Sequence, residues 1–88
     1  MANIEVYSGD FCPYCTRAKA LLKKKGLEFS EYNVRKDMKR QAEMSQRAPG
    51  SRTIPQIFIN DRHVGGCDDL YALERRGELD AWLEVQDH

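Results

Sequence analysis

The chain has 88 residues, 41% of them hydrophobic and 32% charged, with fourteen basic residues against fourteen acidic ones. That balance excludes an acidic tail protein and argues against a dedicated nucleic-acid binder. The length suits one domain spanning 1–88. No apolar run approaches the roughly 20 residues of a membrane span. The N-terminal residues lack the basic and apolar regions of a signal peptide. A cytoplasmic protein without a membrane partner is therefore expected. Three cysteines are too few for a secreted disulfide scaffold.

Ile4-Glu5-Val6-Tyr7 reads as a short strand ending at Ser8-Gly9-Asp10. Tyr14, Ala18, Leu21 and Leu22 recur at helical spacing, with Pro13 in the first turn and Gly26 past the end. Lys23, Lys24 and Lys25 suit the last turn of that helix. Glu28 to Val34 alternates polar and apolar residues, as a second strand would. Asp37 can cap a helix running to Arg47, whose apolar stripe (Met38, Ala42, Met44) is weak. After the break at Pro49-Gly50-Ser51, residues 56–59 and 62–64 read as a hairpin with a two-residue turn at Asn60-Asp61. Asp68 or Asp69 can then cap a helix through Tyr71, Leu73 and Arg76. Leu79, Trp82 and Leu83 mark a last short helix. The order β-α-β-α-β-β-α-α implies a parallel strand pair first and an antiparallel hairpin later. The expected fold class is α/β, a mixed four-stranded sheet flanked by helices.

The chemistry centres on Cys12-Pro13-Tyr14-Cys15 at the start of the first helix. A cysteine there faces unpaired N–H groups and the positive end of the helix dipole, which favour thiolate. Cys12 is expected to be exposed and low in pKa, and Cys15, inside the first turn, to be more buried and slower to react. A second reading is a metal site: His63-x3-Cys67 with the cysteine pair could make a Cys3His zinc centre, or Cys12 could carry an iron–sulfur cluster with the help of a small thiol. Pro13 beside Cys12 stiffens and crowds that turn, which disfavours a cluster.

Cys12-Pro13-Tyr14-Cys15, Thr53-Ile54-Pro55 and Gly65-Gly66-Cys67-Asp68-Asp69-Leu70 together resemble the three landmarks of dithiol glutaredoxins, the bacterial members in particular. The resemblance covers nearly the whole chain and implies a thioredoxin-like fold. It also implies a glutathione-dependent thiol–disulfide oxidoreductase with Cys12 and Cys15 as its catalytic pair. Glutathione would be the co-substrate, and no tightly bound cofactor is implied. The expected partners are glutathione and glutathionylated or disulfide-bonded proteins, met by a monomer.

The same resemblance implies a cis Pro55, with the Ile54 backbone pairing to glutathione like an added strand. Tyr14 and Thr53 would line the groove. Gly66 would allow close approach, with the Cys67 and Asp68 N–H groups meeting the γ-glutamyl carboxylate. Asp68 or Asp69 would meet the ammonium. Cys67 would act through its backbone rather than its sulfur. One departure stands out: glutaredoxins often carry Lys three residues before the first cysteine, facing the glycyl carboxylate, and here that position is Gly9. Arg47 and Arg52 are the candidate replacements.

Overall fold

A computed structural model of the protein describes residues 2–84; Met1 and residues 85–88 lie outside them. The described elements are β1 (Ile4–Ser8), α1 (Pro13–Lys24), β2 (Ser30–Asn33), α2 (Met38–Arg47), β3 (Gln56–Ile59), β4 (Arg62–Gly65), α3 (Cys67–Arg75) and α4 (Leu79–Leu83). They form a four-stranded sheet in the order β2-β1-β3-β4. β1 pairs with β2 in parallel and with β3 antiparallel, and β4 completes the hairpin. The expected α/β architecture is the one observed. β2 is shorter than its alternation suggested, and it forms an edge of the sheet.

The two-residue period of the strands sorts the core into two layers. Ile4, Val6, Ile57 and Ile59 pack with Leu22 of α1 and Leu70 of α3 in one cluster. Tyr7 and Phe58 turn to the other face, against Met44 and Ala48 of α2 and its C-cap. The hairpin turn is possible because Asn60 and Asp61 adopt φ of 51° and 66°, the left-handed pair that a type I′ turn requires.

Two helices correct the expected stripes. In α1 the buried face is Cys15, Ala18, Leu21 and Leu22, while Tyr14 is 55% exposed. In α2 the expected apolar stripe fails: Met38 is 83% exposed, Ala42 is exposed, and Met44 is the one buried residue of the helix. The α2 face nearest the sheet is charged instead. Arg40 lies 3.9 Å over the Tyr32 ring, and Arg47 lies 4.0 Å over Phe58. The Tyr7 hydroxyl donates to Glu43 and accepts from Arg47, which also grips Glu5 through two nitrogens at 3.0 and 3.1 Å. The physical reason is the sheet surface below, whose three aromatic rings and two hydroxyls match guanidinium and carboxylate better than aliphatic side chains. Burial, followed by the bond to Glu43, pushes the Tyr7 phenol up to about 12.

Candidate active site

Cys12 is the N-cap of α1, with extended φ and ψ of −115° and 102°. Its sulfur does what a capping oxygen normally does: the Cys15 N–H donates to Cys12 Sγ at 3.2 Å. Pro13 follows in the first turn, where its missing N–H leaves no intrahelical bond unmade. The first turn of α1 holds no acidic residue, so nothing neutralises the positive helix end facing that sulfur. Donor, dipole and cap converge on one atom.

The expectation that Cys12 is exposed needs correction, for it is only 9% exposed. A segment remote in sequence lies over it: the Cys12 thiol donates to the Ile54 carbonyl at 3.8 Å. Cys15 is more deeply placed, at 1% exposed. Burial, followed by its hydrogen bond with Cys12, pushes its thiol up to about 12. Both cysteines are free thiols, and so is Cys67. Burial also raises the Cys67 thiol above its ordinary value.

Beside the pair runs a groove of about 520 Å³, which gathers all eight of the other expected residues: Tyr14, Thr53, Ile54, Pro55, Gly66, Cys67, Asp68 and Asp69. The Ile54–Pro55 bond is cis. α3 starts at Cys67 with Gly66 as its N-cap, two residues earlier than a cap at Asp68 would place it. Asp69 reaches back instead, its Oδ2 accepting the Gly66 N–H at 2.9 Å. Gly65 is required for this, because at φ 121° a Cβ there would fall 2.2 Å from Asp69 Oδ2. Asp69 thus closes the helix start, whereas Asp68 stays exposed at the groove.

Two supporting arrangements had no signal in the sequence reading. Gln56 Nε2 donates to the Thr53 carbonyl at 2.9 Å, and Gln56 Oε1 lies 2.6 Å from His63 Nε2. A carbonyl can only accept, so it fixes the Gln56 amide orientation, and that in turn requires the proton on His63 Nε2. His63 is further held by stacking on Phe58, with ring centroids 4.9 Å apart. It is therefore engaged away from Cys67. Among the described residues no three His, Cys, Asp or Glu side chains converge as a metal-ligand set, and the Cys3His grouping does not assemble.

The second arrangement concerns Gly9. A Cβ at Gly9 would lie 2.7 Å from Arg35 Cδ and 2.8 Å from Ile54 Cδ1. The stem of Arg35 occupies that space, and its guanidinium donates to the Asp10 carbonyl. Arg47 is committed to Glu5 across the sheet. Arg52 lines a shallow depression together with Arg35 and Ile54.

The comparisons with known proteins agree with this geometry. The family model described as Glutaredoxin matches residues 4–64. A probable glutaredoxin of Synechocystis is 54% identical over 82 residues, 93% of each chain. Glutaredoxin 3 of Escherichia coli is 52% identical over 84 residues, covering 96% of this chain and all of its own. The solution structure of a glutaredoxin from Brucella melitensis superposes with a TM-score of 0.83 at 50% identity, over 100% of this chain and 95% of that one. A buckwheat glutaredoxin–glutathione complex superposes with a TM-score of 0.83 at 32% identity, over 93% and 76% of the two chains. A family model matching well over half of the chain, and relatives more than half identical along nearly all of it, show that this chain belongs to the glutaredoxin family.

Proposed function

We propose that this glutathione-dependent thiol–disulfide oxidoreductase works through Cys12 as nucleophile and Cys15 as resolving thiol, on protein–glutathione mixed disulfides and on protein disulfides. The observation that carries the reading is the Cys12 sulfur itself, capping a helix whose first turn holds no acid. In the first route, Cys12 thiolate attacks the glutathionyl sulfur, forming a Cys12–glutathione disulfide and releasing the protein thiolate. A second glutathione thiolate then attacks the glutathionyl sulfur, giving glutathione disulfide and restoring Cys12 thiolate. In the second route, Cys12 attacks a protein disulfide. Cys15 then loses its proton and attacks Cys12 Sγ, releasing the second protein thiol and leaving a Cys12–Cys15 disulfide. Two glutathione thiolates reduce that bond in succession. With its thiol near 12, Cys15 stays protonated until this step, which keeps it from competing in the first route.

In the groove, the Ile54 backbone pairs with the cysteinyl backbone of glutathione as an added strand. The Cys67 and Asp68 N–H groups, unpaired as at any helix start, receive the γ-glutamyl carboxylate, and Gly66 keeps the approach open. The free Asp68 carboxylate receives the ammonium, since Asp69 is engaged by Gly66. Tyr14 forms one wall, and Thr53 holds the loop through Gln56. Arg35, rather than Arg47 or Arg52, supplies the cation for the glycyl carboxylate. The reading includes protein thiols as partners, a monomer and a cytoplasmic setting; among the described residues no helix is long and apolar enough to cross a membrane.

The test divides the two cysteines. Cys12→Ser should abolish turnover of every substrate. Cys15→Ser should retain reduction of glutathione mixed disulfides and lose reduction of intramolecular protein disulfides. Equal loss of mixed-disulfide turnover in both variants would overturn the assignment.

A further inference from the structure

Cys12 itself lines a second cleft, of about 530 Å³, with Asp10, Phe11, Thr16, Lys19 and Glu31 among its walls. Tyr14 belongs to the glutathione groove and Phe11 to this other cleft, so an aromatic residue flanks the nucleophile on either side. Phe11 is unusual twice over. Its side chain is 99% exposed, and its backbone has φ of 56°, a left-handed conformation in which a bulky residue is an outlier. A large exposed apolar side chain in a costly backbone conformation, next to the reacting atom, points to a contact made only with a partner.

We infer that Phe11 and the cleft beside Cys12 receive the protein half of the substrate, an extended segment carrying an apolar side chain next to its reacting cysteine. This rests on the reading of Cys12 as nucleophile. A protein thiol joined to glutathione is separated from Cys12 Sγ by a single sulfur during attack, so the segment bearing it must lie over the residues adjoining Cys12. The groove side is taken by glutathione, which leaves the side of Phe11. Charge points the same way. Lys19 pairs with Glu31 at 2.7 Å, and Asp10 is held by Asn33 at 3.1 Å and Lys36 at 3.4 Å. The charges of the cleft already have partners, and the phenyl ring is its unspent feature. The match is an apolar neighbour of the cysteine, not a charged one.

The test uses two glutathionylated peptides that differ only in the residues flanking cysteine, leucine in one and serine in the other. The small mixed disulfide of glutathione with 2-mercaptoethanol reports the sulfur chemistry alone, and each peptide rate is divided by that rate. The wild type should favour the leucine peptide about three- to tenfold in kcat/KM, the scale expected for burying part of one apolar side chain. Phe11→Asn, which tolerates the left-handed backbone, should bring the ratio close to one, and Phe11→Trp should restore it. A wild type without the preference, or a Phe11→Asn variant that keeps it, would overturn the inference. Failure of the wild type on the small mixed disulfide would instead overturn the reading of Cys12 on which it rests.

Discussion

On one face of the sheet, Leu22 and Leu70 pack on Ile57 and Ile59. Across the other face, Arg40 and Arg47 lie over Tyr32 and Phe58, and Glu5, Tyr7 and Glu43 bond among them. The first face is held by volume and shape, which depend little on pH or salt. The second is held by partners, each of which becomes a liability when the other is removed. The reactive helix is built on the first. Its apolar surroundings keep Cys15 protonated, while the helix end presents Cys12 to donors. Two thiols three residues apart on one helix thereby sit in different surroundings.

The sharpest way to break the contrast is to truncate one residue on each face. Leu22→Ala should cost about 2–5 kcal/mol in denaturant unfolding, because the layer cannot close around the void. Arg47→Met should cost less, about 1–3 kcal/mol, and for a different reason: it leaves the nearly buried Glu5 carboxylate short of its cation. Adding Glu5→Leu should recover most of that loss. A double variant as unstable as the single would show that packing, not pairing, holds this face too.

Acid should separate the faces next. The Tyr7 hydroxyl, followed by Arg40, holds the Glu43 carboxyl below its ordinary value of 4.5. A carboxyl lowered on folding binds fewer protons in the native state, so its contribution is present above about 4.5 and is lost as pH falls below that. Glu43→Gln should therefore flatten the fall in stability between neutral pH and pH about 3 in denaturant titrations. An unchanged acid limb would assign that limb to other carboxylates. One such group is Glu31, lowered by Lys19 and Ser8 beside α1.

The smallest expected effect lies at Arg35, which lines a depression together with Ile54. Arg35 is exposed, and exposed ion pairs are worth roughly 0.2–1 kcal/mol. Arg35→Met should weaken glutathione binding by about 1.4- to 5-fold at low ionic strength, with the difference fading in salt. Gly9→Lys should not tighten binding, because its Cβ must first displace the Arg35 stem that would already supply the charge. Tighter binding by Gly9→Lys would show that Arg35 does not fill the role.

Local rules made most of the fold legible. Pro13 at a helix start, Asp37 as a cap and Asn60-Asp61 as a turn each act over a few residues, and the structure keeps all three. The α2 stripe was misread because its inward residues Arg40, Glu43, Met44 and Arg47 hold helical spacing in mostly charged letters. A search for apolar periodicity passes over such a face. The groove residues were legible for another reason: three short motifs carry them, and each motif is contiguous in the chain.

The sequence by itself determined the element order, the cysteine pair at a helix start and the loops that accompany it. Tertiary structure alone decided how exposed Cys12 is, because its cover is a carbonyl at Ile54. It alone decided that Arg35 fills the space over Gly9 and that Arg47 crosses the sheet to Glu5. Propensity and capping act between near neighbours and can be read along the chain. Which donor meets which acceptor across two dozen or more residues depends on how the finished layers pack.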